Sequence, residues 1–140
     1  MTSPPLLPPG LSPSGPDGLS GPCDMVLLDA QHLRGRLSHF HDGDLALDLQ
    51  LRGQRLPLCV PLRELQWLRL DLEGPPAMPP VELKGPTLEL RGPAARPVRG
   101  LCLARRQVTG GQWLLLCNER GQVQRWFVHE DPRVQIQQRG

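Results

Sequence analysis

Leu33-Arg34-Gly35-Arg36-Leu37-Ser38-His39-Phe40-His41-Asp42-Gly43-Asp44-Leu45-Ala46-Leu47-Asp48-Leu49 decides the fold. Leu33 opens a strand, Leu37 alternates with polar neighbours, and Phe40 closes the strand. His41-Asp42-Gly43-Asp44 is a turn, because glycine tolerates positive φ and aspartate bonds its own backbone. Leu45, Leu47 and Leu49 fall on one face of a second strand, since strand side chains alternate with period two. The stretch is a bent β-hairpin with one apolar face, centred on Gly35 and the Asp42-Gly43 turn.

Working outward, Met25-Val26-Leu27-Leu28 is a short apolar strand before the hairpin and Asp29-Ala30-Gln31 a turn. After it, Arg52-Gly53-Gln54 turns into Leu56-Pro57-Leu58-Cys59-Val60. Prolines flank the middle of that strand, which predicts an edge or bent position. Pro61 to Leu65 reads as one helical turn, and Gln66-Trp67-Leu68-Arg69-Leu70 as a closing strand. No window carries sustained helical periodicity.

The second half of the chain repeats this plan. Thr87 to Leu90 matches Met25 to Leu28, and Val98-Arg99-Gly100-Leu101 matches the strand through Gly35. Gly110-Gly111 is the turn. Gln112 to Cys117 matches Asp44 to Leu49 but is apolar on both faces, which predicts a central strand covered on both sides. Gln122 to Val128 matches Leu56 to Val60, and Pro132 to Ile136 matches the closing strand. Gly35 and Gly100 stand 65 positions apart, Val60 and Val128 stand 68 apart. The expected fold class is therefore all-β: two tandem five-stranded units, each a small barrel or half-barrel. The expected organisation is a disordered Pro/Gly/Ser-rich leader over 1–22, a first β unit over 23–70, a proline-stiffened linker over 71–87 with a short strand at Val81-Glu82-Leu83, and a second β unit over 88–140. The leader carries Pro4-Pro5-Leu6-Leu7-Pro8-Pro9, a pattern able to dock in an aromatic groove.

Net charge is +2, too small to imply a polyanionic partner. Residues 88–140 hold nine arginines against four acids, a local excess that marks a basic face. Cys23, Cys59, Cys102 and Cys117 lack metal-type spacing. The last three lie inside apolar strands and are expected to be buried as small hydrophobes. Free cysteines, no recognisable secretion signal and no apolar run of membrane-spanning length predict a cytoplasmic protein without membrane insertion.

Chemistry finds little to work with. Ser38 is the one serine beyond the leader and no nucleophile elbow surrounds it. His39 and His41 share a strand face beside Asp42 and Asp44, but they span a turn where polar residues belong. The His129-Glu130-Asp131-Pro132 segment reads the same way. No catalytic residue, cofactor site or metal site is expected, and the chain is read as a non-enzyme. The candidate partner-binding residues are Arg99, Arg105, Arg106, Arg125 and Trp126: arginines beside an aromatic strand, as at protein interfaces and on single-stranded nucleic acid. Trp67 and Trp126 are expected at the surface, with Trp126 and Phe127 pointing to opposite sides, one inward and one outward.

Gly35-Arg36-Leu37-Ser38-His39-Phe40-His41-Asp42-Gly43-Asp44-Leu45-Ala46-Leu47 resembles the first motif of Sm-like barrels: a glycine, an apolar residue, an aromatic, then a turn into an apolar strand. The family's RNA-contacting Asp and Asn would fall on His41 and Asp44, and its Arg-Gly second motif on Val60-Pro61-Leu62-Arg63-Glu64, so the barrel is matched and the RNA contacts are not. Over residues 24–138 the tandem pattern also resembles the β modules ahead of the motor core in bacterial type II secretion and type IV pilus assembly ATPases. Leu33-Arg34-Gly35, Leu58-Cys59-Val60-Pro61 and Leu65-Gln66-Trp67-Leu68 carry the first copy of that pattern. Val98-Arg99-Gly100-Leu101, Arg125-Trp126-Phe127-Val128 and Val134-Gln135-Ile136 carry the second. No phosphate-binding G-x-x-x-x-G-K-[ST] loop occurs, so the resemblance is to the accessory module alone. A related β-barrel, the PilZ-type cyclic-dinucleotide receptor, needs Arg-x-x-x-Arg, and no two arginines here stand four apart.

These readings imply a non-catalytic β adaptor or regulatory module that contacts a protein partner, in a secretion or pilus system if the second resemblance holds. Nucleic-acid binding through the Arg-rich half and cyclic-dinucleotide sensing are the alternatives.

Overall fold

The computed structural model describes residues 19–71 and 85–139. The described residues form ten strands: β1 (Leu19–Leu27), β2 (His32–Phe40), β3 (Ala46–Leu51), β4 (Leu58–Pro61), β5 (Leu65–Asp71), β6 (Thr87–Gly92), β7 (Ala95–Val108), β8 (Gly111–Cys117), β9 (Val123–His129) and β10 (Gln135–Arg139), with one 3-10 turn, Leu62–Glu64. The all-β expectation holds, and the helical turn sits where Pro61 and Leu62 predict it. β1 starts at Leu19, inside the stretch read as leader. Gly21, at φ 137°, absorbs a register shift between Leu19 and Gly21 and lets the chain pair through to Phe40. The rest of the leader and most of the linker, including Val81-Glu82-Leu83, lie outside the described residues.

All ten strands belong to one antiparallel sheet in the order β10-β6-β7-β8-β9-β5-β1-β2-β3-β4. Each half of the chain has the same internal order: the fifth strand flanks the first, and the fourth ends the series. Registers repeat too. Met25 pairs with Leu33 and Leu68, and Leu90 pairs with Val98 and Ile136. Leu37 faces Leu49 as Cys102 faces Leu116. Asp48 faces Cys59 as Leu115 faces Arg125, so Val60 corresponds to Trp126 rather than to Val128. The halves meet where β5 pairs with β9, Trp67 opposite Val128 and Leu70 opposite Arg125.

The sheet curls. Phe40 on β2 lies four strands from Trp113 on β8, a separation of about 19 Å in a flat sheet at about 4.8 Å per strand. Their ring centroids are 5.8 Å apart, and Phe127 stands 5.1 Å from both. Gly35 makes part of this bend: a Cβ there would lie 2.4 Å from the Gln50 carbonyl oxygen. Gly100, its counterpart, is less tight, at 3.1 Å from the Cys117 carbonyl oxygen.

Curling builds two main cores on opposite faces of the sheet. The first gathers Met25, Leu37, Leu47, Leu49, Val60, Leu65 and Leu68 from the first half, and takes in Trp113 and Phe127 from the second. The second gathers Leu88, Leu90, Leu114, Leu116 and Trp126, and takes in Val26 and Trp67 from the first half. Each half thus lends two side chains from its outer face to the other half's core. This exchange buries β8 on both faces, as its apolar sequence predicts. It also corrects the surface placement of Trp67 and Trp126, which are 2% and 8% exposed. Trp126 and Phe127 do point to opposite sides, but both sides are cores. Leu45 departs from its strand as well: β3 begins at Ala46, and Leu45 is 82% exposed.

Candidate functional site

The five candidate residues do not form one patch. Strand registers put Arg99, Arg106 and Arg125 on the face that carries Trp113 and Phe127, and put Arg105 and Trp126 on the other. Arg105 donates through Nε to Gln112 Oε1 at 2.5 Å. Arg106 lies 3.5 Å from Asp42, whose carboxylate also accepts the Trp113 indole N–H at 3.0 Å. Arg125 is half-buried, and burial pulls its pKa below the ordinary arginine value. Trp126 belongs to the second core. It also lines a shallow groove of about 320 Å³ with Val26, Trp67, Val98, Arg34 and Arg69.

Arg99 belongs to a different cluster. Glu89, on β6, is held by Arg91, by Arg99 at 2.9 Å and by Arg139 at 3.1 Å. Its carboxylate has no exposed surface because the three guanidinium groups themselves cover it. Burial alone would raise its pKa. The hydrogen bonds from the three arginines outweigh that and lower it to about 2. The first half repeats the arrangement in register: Asp24 binds Arg34 at 2.9 Å and also Arg69. Opposite charges face each other across neighbouring strands in both halves, the ordinary way to stabilise an exposed sheet face. These arginines are spent on fixed partners.

Among the described residues no three His, Cys, Asp or Glu side chains gather as a metal site requires. His41 and Asp44 close their turn, the His41 N–H donating to Asp44 at 2.8 Å. His129 Nδ1 lies 2.8 Å from the Leu65 carbonyl oxygen, which ties β9 to the start of β5. Cys23, Cys102 and Cys117 are buried. Burial, with Asp24 nearby, pushes the Cys23 thiol up to about 12, and burial raises Cys102 and Cys117. Cys59 corrects the expectation of burial: it is exposed, because it pairs with Asp48 on the face of β3 and β4 turned away from the first core.

Uncovered apolar surface lies at β3, β4 and the bends before them. The large hydrophobic residues exposed among the described residues are Leu45 at 82%, Leu56 at 81% and Leu58 at 41%. Leu58 lies on β4, Leu45 precedes β3 beside Leu62, and Leu56 precedes β4 at the opposite end of the pair. Leu58 faces Leu49 on the side of the first core, whereas Leu45 and Leu56 lie in bends outside β3 and β4. Sequence reading placed β4 at an edge from its prolines. It missed the leucines because Leu45 and Leu56 look like any other inward position of an alternating strand.

No family model matches the chain, and no curated protein or solved structure matches it. Among the described residues no helix is long and apolar enough to cross a membrane.

Proposed function

We propose that the chain is a non-catalytic β adaptor that engages a protein partner along β4. Its sheet is read as two copies of a five-stranded Sm-like unit joined edge to edge. The shared strand order and registers of the two halves support that reading. The resemblance to modules of bacterial type II secretion and type IV pilus ATPases suggests a cytoplasmic partner in such a machine. One observation carries the docking surface: β4 ends the sheet among the described residues, and Leu58, on its core side, is 41% exposed there. Apolar surface beside unpaired backbone N–H and C=O groups is what strand addition uses.

The experiment uses Cys59 as its handle. A maleimide photo-crosslinker attached there, in cells of the source organism, should yield one discrete protein adduct. Leu58→Lys should abolish the adduct without unfolding the chain. The same reagent on a Cys59→Ser, Arg120→Cys variant, at the exposed turn before β9, should not give it. Equal adducts from both positions, or none from either, would remove β4 as the docking surface.

A further inference from the structure

Glu89 fixes three arginines without neutralising them. The cluster lies on β6, β7 and β10, away from β4, and what it binds does not depend on the role of that strand.

Glu89 sits on the outer face of the second half. Arg99 is its cross-strand partner on β7, Arg91 stands two positions along β6, and Arg139 reaches it from β10. Each guanidinium meets the carboxylate through Nε. A guanidinium carries five N–H donors, so a bond through Nε leaves most of each fork unused. The arginine side chains are 47%, 64% and 46% exposed, while Glu89 has no exposed surface. No other acid lies on β6, β7 or β10. Three arginines against one glutamate leave the cluster at net +2.

The first half shows that the ladder does not need this excess. The repeated registers make Asp24 the counterpart of Glu89, Arg34 of Arg99 and Asp71 of Arg139. There Arg34 and Arg69 are held by Asp24 and Asp71, two charges against two. In the second half an arginine takes the place of Asp71, and Arg91 takes the place of Val26. Like charges gathered on one sheet face repel, so the surplus works against folding until an anion meets it.

A phosphate monoester balances the surplus. It carries about −1.5 to −2 at neutral pH, and its oxygens pair with guanidinium forks. Nucleic acid fits less well. Its backbone phosphates carry one charge each, and single strands bind by stacking bases on aromatic side chains. Phe40, Trp67, Trp113, Trp126 and Phe127, the only aromatic side chains of the FWY type in the chain, are all buried. Small-molecule sites enclose most of their ligand, whereas these arginines stand open on a sheet face. A phosphate carried on a protein chain suits such a face, as where arginine clusters read phosphorylated motifs.

We infer that Arg91, Arg99 and Arg139 receive a phosphorylated serine or threonine side chain of a partner protein, with Glu89 as the anchor that positions the three guanidinium groups.

The test is a nuclear magnetic resonance titration of the isotopically labelled full-length protein at fixed ionic strength. The probe is acetyl-Gly-Gly-phosphoserine-Gly-Gly-amide. It should give saturable shifts of the Nε–H signals of Arg91, Arg99 and Arg139, and inorganic phosphate should compete with it. Arg91→Gln and Arg139→Gln should each weaken binding at least tenfold with unchanged far-ultraviolet circular dichroism. Arg34→Gln, in the balanced cluster, and Arg120→Gln, at the exposed turn before β9, should leave binding within twofold. Absence of saturable shifts, equal shifts with the unphosphorylated peptide, no competition by phosphate, or an equal loss in Arg34→Gln would overturn the inference. So would tighter binding of a thymidine oligonucleotide than of the phosphopeptide, which would assign the cluster to a nucleic-acid backbone. The Cys59 adduct is read on a different strand, so this site and the β4 surface stand or fall separately.

Discussion

β4 and β9 hold the same place in their halves, each pairing with the third strand in the same register, yet they end in opposite circumstances. β9 is closed by β5 and buries Trp126, Phe127 and Val128 in succession. Among the described residues β4 ends the sheet and leaves Leu58 and Cys59 in the open. The backbone ladder is common to both, so it does not distinguish them. Large apolar side chains on the outer faces do: the second half offers Trp113 and Phe127, the first offers Ala46 and Pro61. Strand pairing is generic, and side-chain exchange between faces decides which edges close.

Breaking the closed edge should have the largest effect. Phe127→Ala removes a ring that packs on Phe40 across the joint and on Trp113 beside it, and should cost about 3–5 kcal/mol, read from urea midpoints at constant slope. Because each core holds residues from both halves, the wild type should unfold in one transition by fluorescence and circular dichroism together. Two separate transitions would mean the halves are independent.

The bends offer the next comparison. Gly35→Ala sets a Cβ against the Gln50 carbonyl and should cost about 3 kcal/mol, the upper end for overpacking, while Gly100→Ala should cost about 1 kcal/mol. Equal losses would show that the second strands bend alike.

Acid should separate the halves further. The folded-state pKa of Glu89 is lowered from 4.5 to about 2, so its stabilising contribution is complete above pH 4.5 and is lost as pH falls toward 2. Asp131, held by Arg133, is lowered from 3.8 to about 2 and acts in the same sense. Glu89→Gln should flatten the fall in stability between pH 4.5 and 2 and lower the plateau above it. An unchanged pH profile would show that the three arginines do not hold the carboxylate.

The smallest effect belongs to the open edge. Leu58→Lys should change stability by no more than about 0.5 kcal/mol, as expected for a surface position. In the native state Cys59 should be the one thiol of four to react rapidly with a thiol reagent, since thiolate character and access govern the rate. A larger destabilisation by Leu58→Lys, or rapid reaction at a second cysteine, would mean that the edge is more covered than its exposure implies.

Local chemistry was legible along the chain wherever a residue answers to its neighbours. Alternation in Leu47 and Leu49, the glycines at 43, 53 and 110 with positive φ, the prolines around β4 and the repeat about Gly35 and Gly100 all read directly onto strands, turns and an edge. The candidate site was less so. Arg105 and Arg106 are adjacent in sequence, but a bulge between Cys102 and Ala104 and the alternation of the strand put them on opposite faces, and Trp126 was assigned to the surface. A strand sequence records which residues alternate, not how many of its two faces will be covered.

From its sequence alone this protein is an all-β chain with one strand plan written twice. Short-range forces suffice for that, because turn residues and period-two patterning act over a few positions. Only the tertiary structure decided that the two plans merge into one curled sheet, that Trp67 and Trp113 cross into each other's cores, and that Leu45, Leu56 and Leu58 remain uncovered. Those outcomes depend on pairing between β5 and β9, more than fifty residues apart, and on a curl that brings strands four places apart into contact. Neither has a signature within any single strand.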